Sequence, residues 1–320
     1  MKFVTYLSNN SPRLGLLTGN EILDLERASA ETAYPLPNDI IPFLRLVEPA
    51  MKAARKIEEI AKDSNAFRVA RIPADSVKLL APIPRPTSMR DGYAFRQHVE
   101  AARRNRGVEM IPEFDLFPVF YFTNHQAVIG PGPMEVMPEH LNRLDYELEA
   151  AIVIGKEGRN IKASEADEYI AGYMVMNDWS ARALQMEEMK LSLGPAKGKD
   201  FATAIGPWLV TRDELAAKHI PSERGERYDL TMTASLNGNP LSHGNLKDMS
   251  WTFAEIIERA SYGVTLYPGD VIGSGTVGTG CLLELNGSKV TNNLWVQLGD
   301  TVTCAIEELG ELTNTVIATK

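Results

Sequence analysis

Short strand-like segments, separated by glycine and asparagine, dominate the second half of the chain and restrict the folds open to it. They are residues 147–154, 208–210, 230–236, 271–274, 281–285 and 301–306. Two helical patterns stand out among them, at about residues 180–189 and 250–261. A parallel βαβ sheet needs a regular alternation of strands and helices, so this pattern favours an antiparallel or mixed β core. We therefore expect an α+β fold that is mainly β.

The first 80 residues form a pattern of their own. Residues 2–7 alternate as a strand does, and residues 14–25 read as a hairpin around Gly19 and Asn20. Residues 42–61 follow with approximately helical spacing, and the proline-rich residues 80–86 then interrupt regular structure. We predict a small β-rich N-terminal domain at residues 1–80 and a catalytic domain at residues 81–320.

Charge and composition exclude several classes of protein. The chain has 33 Lys+Arg against 42 Asp+Glu, a net charge of −9, so its surface repels phosphate backbones and no nucleic-acid partner is expected. No run approaches the ~18 apolar residues of a membrane span, and the first ten residues lack a signal-peptide core. Cys281 and Cys304 lie in apolar surroundings as expected buried thiols. We expect a cytoplasmic protein without membrane contacts.

The strongest chemical signal is the acidic start of the apolar segment 144–154. Glu147 and Glu149 stand two residues apart, which places their side chains on one face of a strand about 6.6 Å apart. Two adjacent carboxylates at the edge of a core suit a hard divalent cation. The alternative is a solvent-exposed stripe on an amphipathic strand.

A second acid, Asp178, ends the apolar run 171–177 where a helix is predicted to begin. It could cap that helix, bind a cation, or do both with one oxygen each. Arg182 and Gln185 are three residues apart and share a helix face. They could donate to an oxyanion, or they could belong to an ordinary surface helix.

Two further segments carry candidate residues. Asp91 could begin a helix that places His98 on the same side two turns later, although a lone histidine is more often structural. Lys199 lies between a glycine and an apolar stretch, where it could bring a charge to a cleft or simply remain solvated. Nucleotide-binding glycine loops, HExxH and GxSxG motifs do not occur in the sequence.

Together, seven segments resemble the fumarylacetoacetate hydrolase family, in the expected order over about residues 80–318. They are DGYAFRQH (91–98), YELE (146–149), NDWSARALQ (177–185), GKDF (198–201), PGDVIGSGT (268–276), CLLEL (281–285) and GDTVTCAIEELG (299–310). Residues 1–80 match only loosely, as a small N-terminal domain of the kind that many members carry.

The resemblance implies a mixed β-sandwich or β-roll catalytic domain, a homodimer, and one divalent cation, Mg²⁺ or Mn²⁺ and possibly Ca²⁺. The residues carried over from the family fall into three groups. The implied cation ligands are Asp91, Glu147, Glu149 and Asp178, with Lys199 and Thr203 near the cation. The implied catalytic groups are His98 as general base, Glu284 as its orienting carboxylate, and Arg182, Gln185 and Lys199 as oxyanion donors. The implied substrate contacts are Tyr93, Gln185, Met189 and Thr276.

The function that the resemblance implies is hydrolysis of a C–C bond in a β-diketo acid, such as fumarylacetoacetate or an acylpyruvate. A 2-oxo acid decarboxylase, isomerase or dehydratase is the alternative with the same site, and a calcium-stabilised binding module is a third. Met189 replaces the aromatic substrate contact usual in fumarylacetoacetases, and the interval from Gln185 to Lys199 is one residue longer than in the animal-type enzymes. Both departures concern the identity of the substrate.

Overall fold

The computed structural model describes residues 1–63 and 65–319 of the chain. Its strands are β1 Lys2–Ser8, β2 Ser11–Thr18, β3 Glu21–Asp24, β4 Arg71–Pro73, β5 Met89–Gly92, β6 Phe120–Phe122, β7 Val128–Ile129, β8 Gly132–Val136, β9 Leu144–Asp145, β10 Leu148–Ile154, β11 Gly158–Arg159, β12 Ile170–Asp178, β13 Ser180–Ala181, β14 Thr203–Val210, β15 His219–Ile220, β16 Arg227–Tyr228, β17 Thr231–Leu236, β18 Asn239–Asn245, β19 Thr265–Leu266, β20 Val271–Gly273, β21 Thr301–Ile306 and β22 Gly310–Ala318. Its α-helices are α1 Leu25–Ser29, α2 Ile40–Arg45, α3 Glu48–Ile60, α4 Arg96–Asn105, α5 Ala163–Ala166, α6 Arg182–Glu188, α7 Phe253–Ser261 and α8 Leu282–Gly287.

Two sheets carry most of these strands. The larger has eleven strands in the order β4-β3-β2-β1-β14-β12-β10-β20-β5-β6, with β7 beside β14. The smaller has five strands in the order β18-β17-β21-β22-β8. Most neighbours are antiparallel, while the pairs β20–β5, β14–β7 and β22–β8 are parallel. This mixed, mainly β architecture confirms the predicted α+β class.

The central strands β10 and β12 are buried on both faces, so every residue in them is buried. One face packs against the smaller sheet, whose strands β17 and β21 alternate between buried and partly exposed residues. The other face, which includes Ala151 and Met174, packs against side chains from the N-terminal residues. Burial on both faces explains why β10 and β12 read as continuous apolar runs.

The four strands of the N-terminal residues, β1 to β4, belong to the larger sheet. The hairpin predicted around Gly19 is present, with Thr18 opposite Glu21. Strand β1 pairs with β14 through Lys2 and Phe3. The proposed domain boundary at residue 80 stays a prediction.

Two predicted elements differ in the structure. Residues 42–61 contain parts of two helices, α2 and α3, instead of one. Residues 281–285, predicted as a strand, contain the start of helix α8, in which the buried Leu282 and Leu285 share a face three residues apart. In the described ranges of the chain, no helix is both long enough and apolar enough to span a membrane.

Candidate metal centre

Four carboxylates from three strands of the larger sheet and its loops converge at one end of that sheet. Asp91, Glu147, Glu149 and Asp178 are all buried, and each offers an oxygen within 4.8 Å of the others. The solvent-exposed stripe considered for Glu147 and Glu149 does not occur, because their exposed fractions are 6% and 0%. The sequence candidates for cation ligands therefore form one cluster.

The periodicity of the strands explains why the carboxylates share a face. Glu149 lies two residues before Ala151 in β10, and Asp178 lies two residues after Met176 in β12. Ala151 and Met176 both belong to the core on the N-terminal side of the sheet. Because alternate side chains of a strand project from the same face, both acids project to that side.

Asp91 corrects one expectation, since it lies in strand β5 and does not begin a helix. Helix α4 begins later, at Arg96, and carries His98 in its first turn. Strand β20 lies between β5 and β10, and its Gly273 pairs with Asp91. A Cβ atom at Gly273 would lie 2.4 Å from Asp91 Oδ1. The glycine therefore leaves the space into which Asp91 reaches.

Two buried cations compensate part of the negative charge. Lys199, which is 4% exposed, donates from Nζ to Glu147 and, at 2.6 Å, to Asp178 Oδ2. Arg182 donates from Nη2 to Glu147 Oε1 at 2.7 Å. Burial alone would raise the pKa of Glu147, but Lys199 and Arg182 outweigh it and hold that pKa well below its usual range. The solvated-lysine and surface-helix alternatives therefore do not describe Lys199 and Arg182.

Among the residues that the structure describes, no cation contacts Asp91 or Glu149, and the pKa values of these two acids are raised. Burial and the nearby Asp178 raise the pKa of Asp91 to about 7. Burial and Asp91 raise the pKa of Glu149 well above its usual range. The backbone N–H of Gly275 donates to both carboxylates, at 3.1 Å to each. The four carboxyl groups of the cluster therefore outnumber the two cationic side chains in contact with it.

The helix-capping role considered as an alternative for Asp178 does not occur in the structure. The N-cap residue of α6 is Ala181, three residues further on. Asp178 Oδ2 instead accepts hydrogen bonds from Lys199 and, at 2.5 Å, from the Tyr121 hydroxyl. Asp178 Oδ1 is buried and has no hydrogen-bond partner in the described part of the chain. A buried carboxylate oxygen without a partner among four carboxylates fits a hard divalent cation as the missing partner.

A histidine–carboxylate pair adjoins the cluster. His98 Nδ1 on α4 lies 2.7 Å from Glu284 Oε2 on α8, and both side chains are buried. Glu284 also accepts the backbone N–H of Thr279 at 2.9 Å, which fixes its orientation. His98 is near enough to Glu147 to lower the pKa of that carboxylate. With Nδ1–H donated to Glu284, Nε2 is the ring nitrogen left to act as a base.

The remaining candidates surround these groups. Gln185 Oε1 accepts from Arg182 Nη1 at 3.0 Å, and the Thr276 hydroxyl is 3.4 Å from Glu149 Oε1. Thr203 pairs with Asp178 across strands β14 and β12. The Tyr93 ring meets the His98 ring edge-on at a centroid distance of 5.8 Å. Met189 follows α6 and is 46% exposed.

Sequence reasoning missed three residues of this site: Tyr121, Asp145 and Gly273. Asp145 stands two residues before Glu147, so strand periodicity places it on the same face as the two glutamates, but this spacing does not indicate its partner. Tyr121 lies in the aromatic run 120–122 and Gly273 in the strand-like segment 271–274, and neither segment by itself indicates a contact with an acidic residue. Their contacts depend on neighbours that are far away in sequence.

A separate cleft of about 900 Å³ lies at the opposite end of the central strands. It is lined by residues such as Ile170 at the start of β12 and Thr211 just after β14, together with Met51 of α3. None of its lining residues belongs to the carboxylate cluster.

Comparison with known proteins agrees with the architecture and the motifs. Residues 87–317 match the family model described as fumarylacetoacetate (FAA) hydrolase C-terminal. The chain is 31% identical to human oxaloacetate tautomerase FAHD2A, mitochondrial, over 310 residues, which are 96% of this chain and 88% of that protein. It is 30% identical to maleylpyruvate hydrolase of Aquipseudomonas alcaligenes over 275 residues, or 83% of this chain and 88% of the relative.

Among solved structures, the chain resembles the fumarylacetoacetate hydrolase from the psychrophilic Exiguobacterium antarcticum. The TM-score is 0.73 and the sequence identity 26%, with both chains fully covered. The family model covers well over half of the chain, and the match to the human relative covers 96% of it. The chain therefore belongs to the fumarylacetoacetate hydrolase family.

Proposed function

We propose that this protein is a divalent-cation-dependent hydrolase that cleaves a C–C bond in a β-diketo acid, such as fumarylacetoacetate or an acylpyruvate. The observation that carries the proposal is the position of the His98–Glu284 pair beside four buried carboxylates. A structural calcium site needs oxygen ligands but neither an oriented histidine nor a buried lysine. The arrangement supports an enzyme rather than the binding module considered from the sequence.

Asp91, Glu147, Glu149 and Asp178 would hold the cation, with Lys199 and Thr203 close by. An all-oxygen donor set suits Mg²⁺, Mn²⁺ or Ca²⁺. When bound, such a cation polarises a carbonyl and stabilises an enolate by its charge.

The residues of the chain supply the proton transfer and the orientation. His98 Nε2 takes a proton from water while Glu284 holds Nδ1–H and stabilises the resulting imidazolium. The oxygen of that water bonds to the substrate carbonyl carbon. Arg182, Lys199 and the Gln185 amide then donate to the oxyanion that develops. When the C–C bond breaks, its electron pair stays on the enolate leaving group, which takes the proton back from His98.

Keto–enol tautomerisation of oxaloacetate is the second candidate. It is favoured by the 31% identity to human oxaloacetate tautomerase over almost the whole chain. It needs the same enolate stabilisation, but a proton moves between oxygen and carbon and no carbon bond breaks. The site residues would be shared, so a product analysis is needed to separate the two reactions.

The test incubates the purified protein, with Mg²⁺ or Mn²⁺, with fumarylacetoacetate, an acylpyruvate and oxaloacetate. Hydrolysis predicts loss of enol absorbance together with two carboxylic-acid fragments from the diketo acids. Tautomerisation predicts faster enol decay of oxaloacetate with no fragments. Turnover of none of the three, with cation present, would contradict both candidates.

Cation affinity should depend on pH through Asp91. Because the pKa of Asp91 in the cation-free protein is about 7, the carboxyl is largely protonated at pH 6 and must lose its proton to become a ligand. The Kd for Mn²⁺ should therefore rise at least about tenfold per pH unit below pH 7, and more steeply where Glu149, whose pKa is also raised, must lose its proton as well. Calorimetric titration between pH 5.5 and 8 measures this dependence, and a constant Kd over that range would contradict it.

Gly273→Ala should weaken cation binding, because the new methyl group would occupy the space of Asp91 Oδ1. We expect the Kd for Mn²⁺ to rise by about 10–100-fold, the usual effect of displacing a ligand through its neighbour. Gly15→Ala is a matched control, since its Cβ would lie 2.4 Å from the Ile22 side chain in the N-terminal strands. Equal Kd values for the two variants would show that Gly273 has no special part in placing Asp91.

The homodimer and the cytoplasmic location stay predictions, and the human relative is itself named as mitochondrial.

A further inference from the structure

The buried carboxylate of Asp145 has no place in the reaction described above, yet it accepts three hydrogen bonds. Asp145 ends strand β9 and is 0% exposed. Its Oδ2 accepts from Arg182 Nε at 2.9 Å and from the backbone N–H of Leu283 at 3.0 Å. Its Oδ1 accepts from the backbone N–H of Leu282 at 2.7 Å. One side chain thus joins two parts of the site that lie a hundred residues apart in sequence.

The first part is the guanidinium of Arg182. With Nε held by Asp145, the terminal nitrogens donate to Glu147 Oε1 at 2.7 Å and to Gln185 Oε1 at 3.0 Å. The guanidinium is planar and its donors have a fixed geometry, so a partner on Nε sets the direction of the other two. Asp145 therefore orients Arg182.

The second part is helix α8. Leu282 and Leu283 are its first two residues, whose N–H groups have no partner within the helix. A carboxylate at this end also interacts favourably with the helix dipole. The next residue is Glu284, whose Oε2 lies 2.7 Å from His98 Nδ1. Asp145 therefore fixes the turn that presents Glu284 to His98.

We infer that Asp145 is a positioning residue. It fixes the orientation of the oxyanion donor Arg182 and, through helix α8 and Glu284, the orientation of the base His98. Its catalytic consequence rests on the proposed function. Its effect on His98 does not, since that effect is a property of the protein without cation or substrate.

The chain offers a matched control for an ordinary structural role. Asp24 is also 0% exposed, caps helix α1 by accepting the backbone N–H of Arg27, and pairs with Arg13 at 2.5 Å. It lies in β3, near the far edge of the larger sheet from the carboxylate cluster. Asp24→Asn and Asp145→Asn therefore remove the same kind of interaction, and only the second removes it beside the site.

The experiment compares the two variants with the unmodified protein. We expect both to lose thermal stability. We expect only Asp145→Asn to move the NMR signal of the His98 Nδ1–H proton, measured in the cation-free protein. If the unmodified protein turns over one of the three substrates, Asp145→Asn should also lower kcat by about 10–100-fold with little change in KM. The reason is that Arg182 and His98, whose orientation depends on Asp145, act on the transition state. Asp24→Asn should leave kcat unchanged.

A His98 signal that stays in place in Asp145→Asn would overturn the inference, as would an unchanged kcat in an active enzyme. If the unmodified protein turns over none of the substrates, the proposed function fails and the NMR signal alone decides about Asp145. Should Asp145→Asn not fold, Asp145→Glu keeps the charge and displaces it by one methylene. The same criteria then apply: a moved His98 signal supports the inference, and an unmoved one overturns it.

Discussion

Replacing Glu149 with glutamine should abolish turnover and divalent-cation binding while the protein stays folded. The amide keeps the shape of the side chain but removes one of the four charged oxygens that would hold the cation. We expect the Kd for Mn²⁺ to rise by more than about 10²-fold, beyond the effect of losing a neighbour of a ligand. The thermal stability of the cation-free protein should be unchanged or higher, because burial and Asp91 already disfavour the charged form of Glu149.

Glu147→Gln is the informative comparison, because it should remove cation binding and also destabilise the protein. Glu147 is the shared partner of Arg182 and Lys199, which are both buried. Breaking a buried ion pair by removing one partner typically costs about 3–5 kcal/mol. Thermal melts of the two variants, with Mn²⁺ content measured on the same samples, test this difference. Full activity with unchanged Mn²⁺ content in either variant would contradict the four-carboxylate site.

His98→Gln should lower turnover of a diketo acid by about 10²–10⁴-fold, the usual contribution of a general base. Cation binding and substrate binding should persist, since the carboxylates, Arg182 and Lys199 are unchanged. Steady-state kinetics together with Mn²⁺ titration of the same preparation measure both effects. Near-normal hydrolysis would remove His98 from the mechanism, and loss of Mn²⁺ binding would show that His98 is a ligand.

The periodicity of strands made part of this site visible in the sequence. Glu147 and Glu149 stand two apart at the start of an apolar run, and this spacing correctly predicts a common face. The spacing treats the two glutamates as equivalent. The structure separates them, because only Glu147 meets Lys199 and Arg182, which approach from elements that follow it by more than thirty residues.

Other expectations failed where a local pattern was compatible with two structures. Asp91 before a histidine reads as a helix start, yet pairing with β20 draws it into strand β5. Asp178 before a helix reads as a cap, yet Tyr121 and Lys199 occupy one of its oxygens. Residues 281–285 read as a strand because an apolar run of that length does not distinguish a strand from a buried helix turn. For Asp91 and Asp178, a contact distant in sequence decided the outcome.

Diffraction from a crystal of the unmodified protein soaked in Mn²⁺ tests the central claim most directly. The account predicts one anomalous peak per chain, within about 2.0–2.6 Å of oxygens from Asp91, Glu147, Glu149 and Asp178, the range found for hard divalent cations. The Asp178 Oδ1 atom, which lacks a partner in the described residues, should be among the ligands. A saturating soak that leaves this position empty, or that places Mn²⁺ only elsewhere on the chain, would contradict the account.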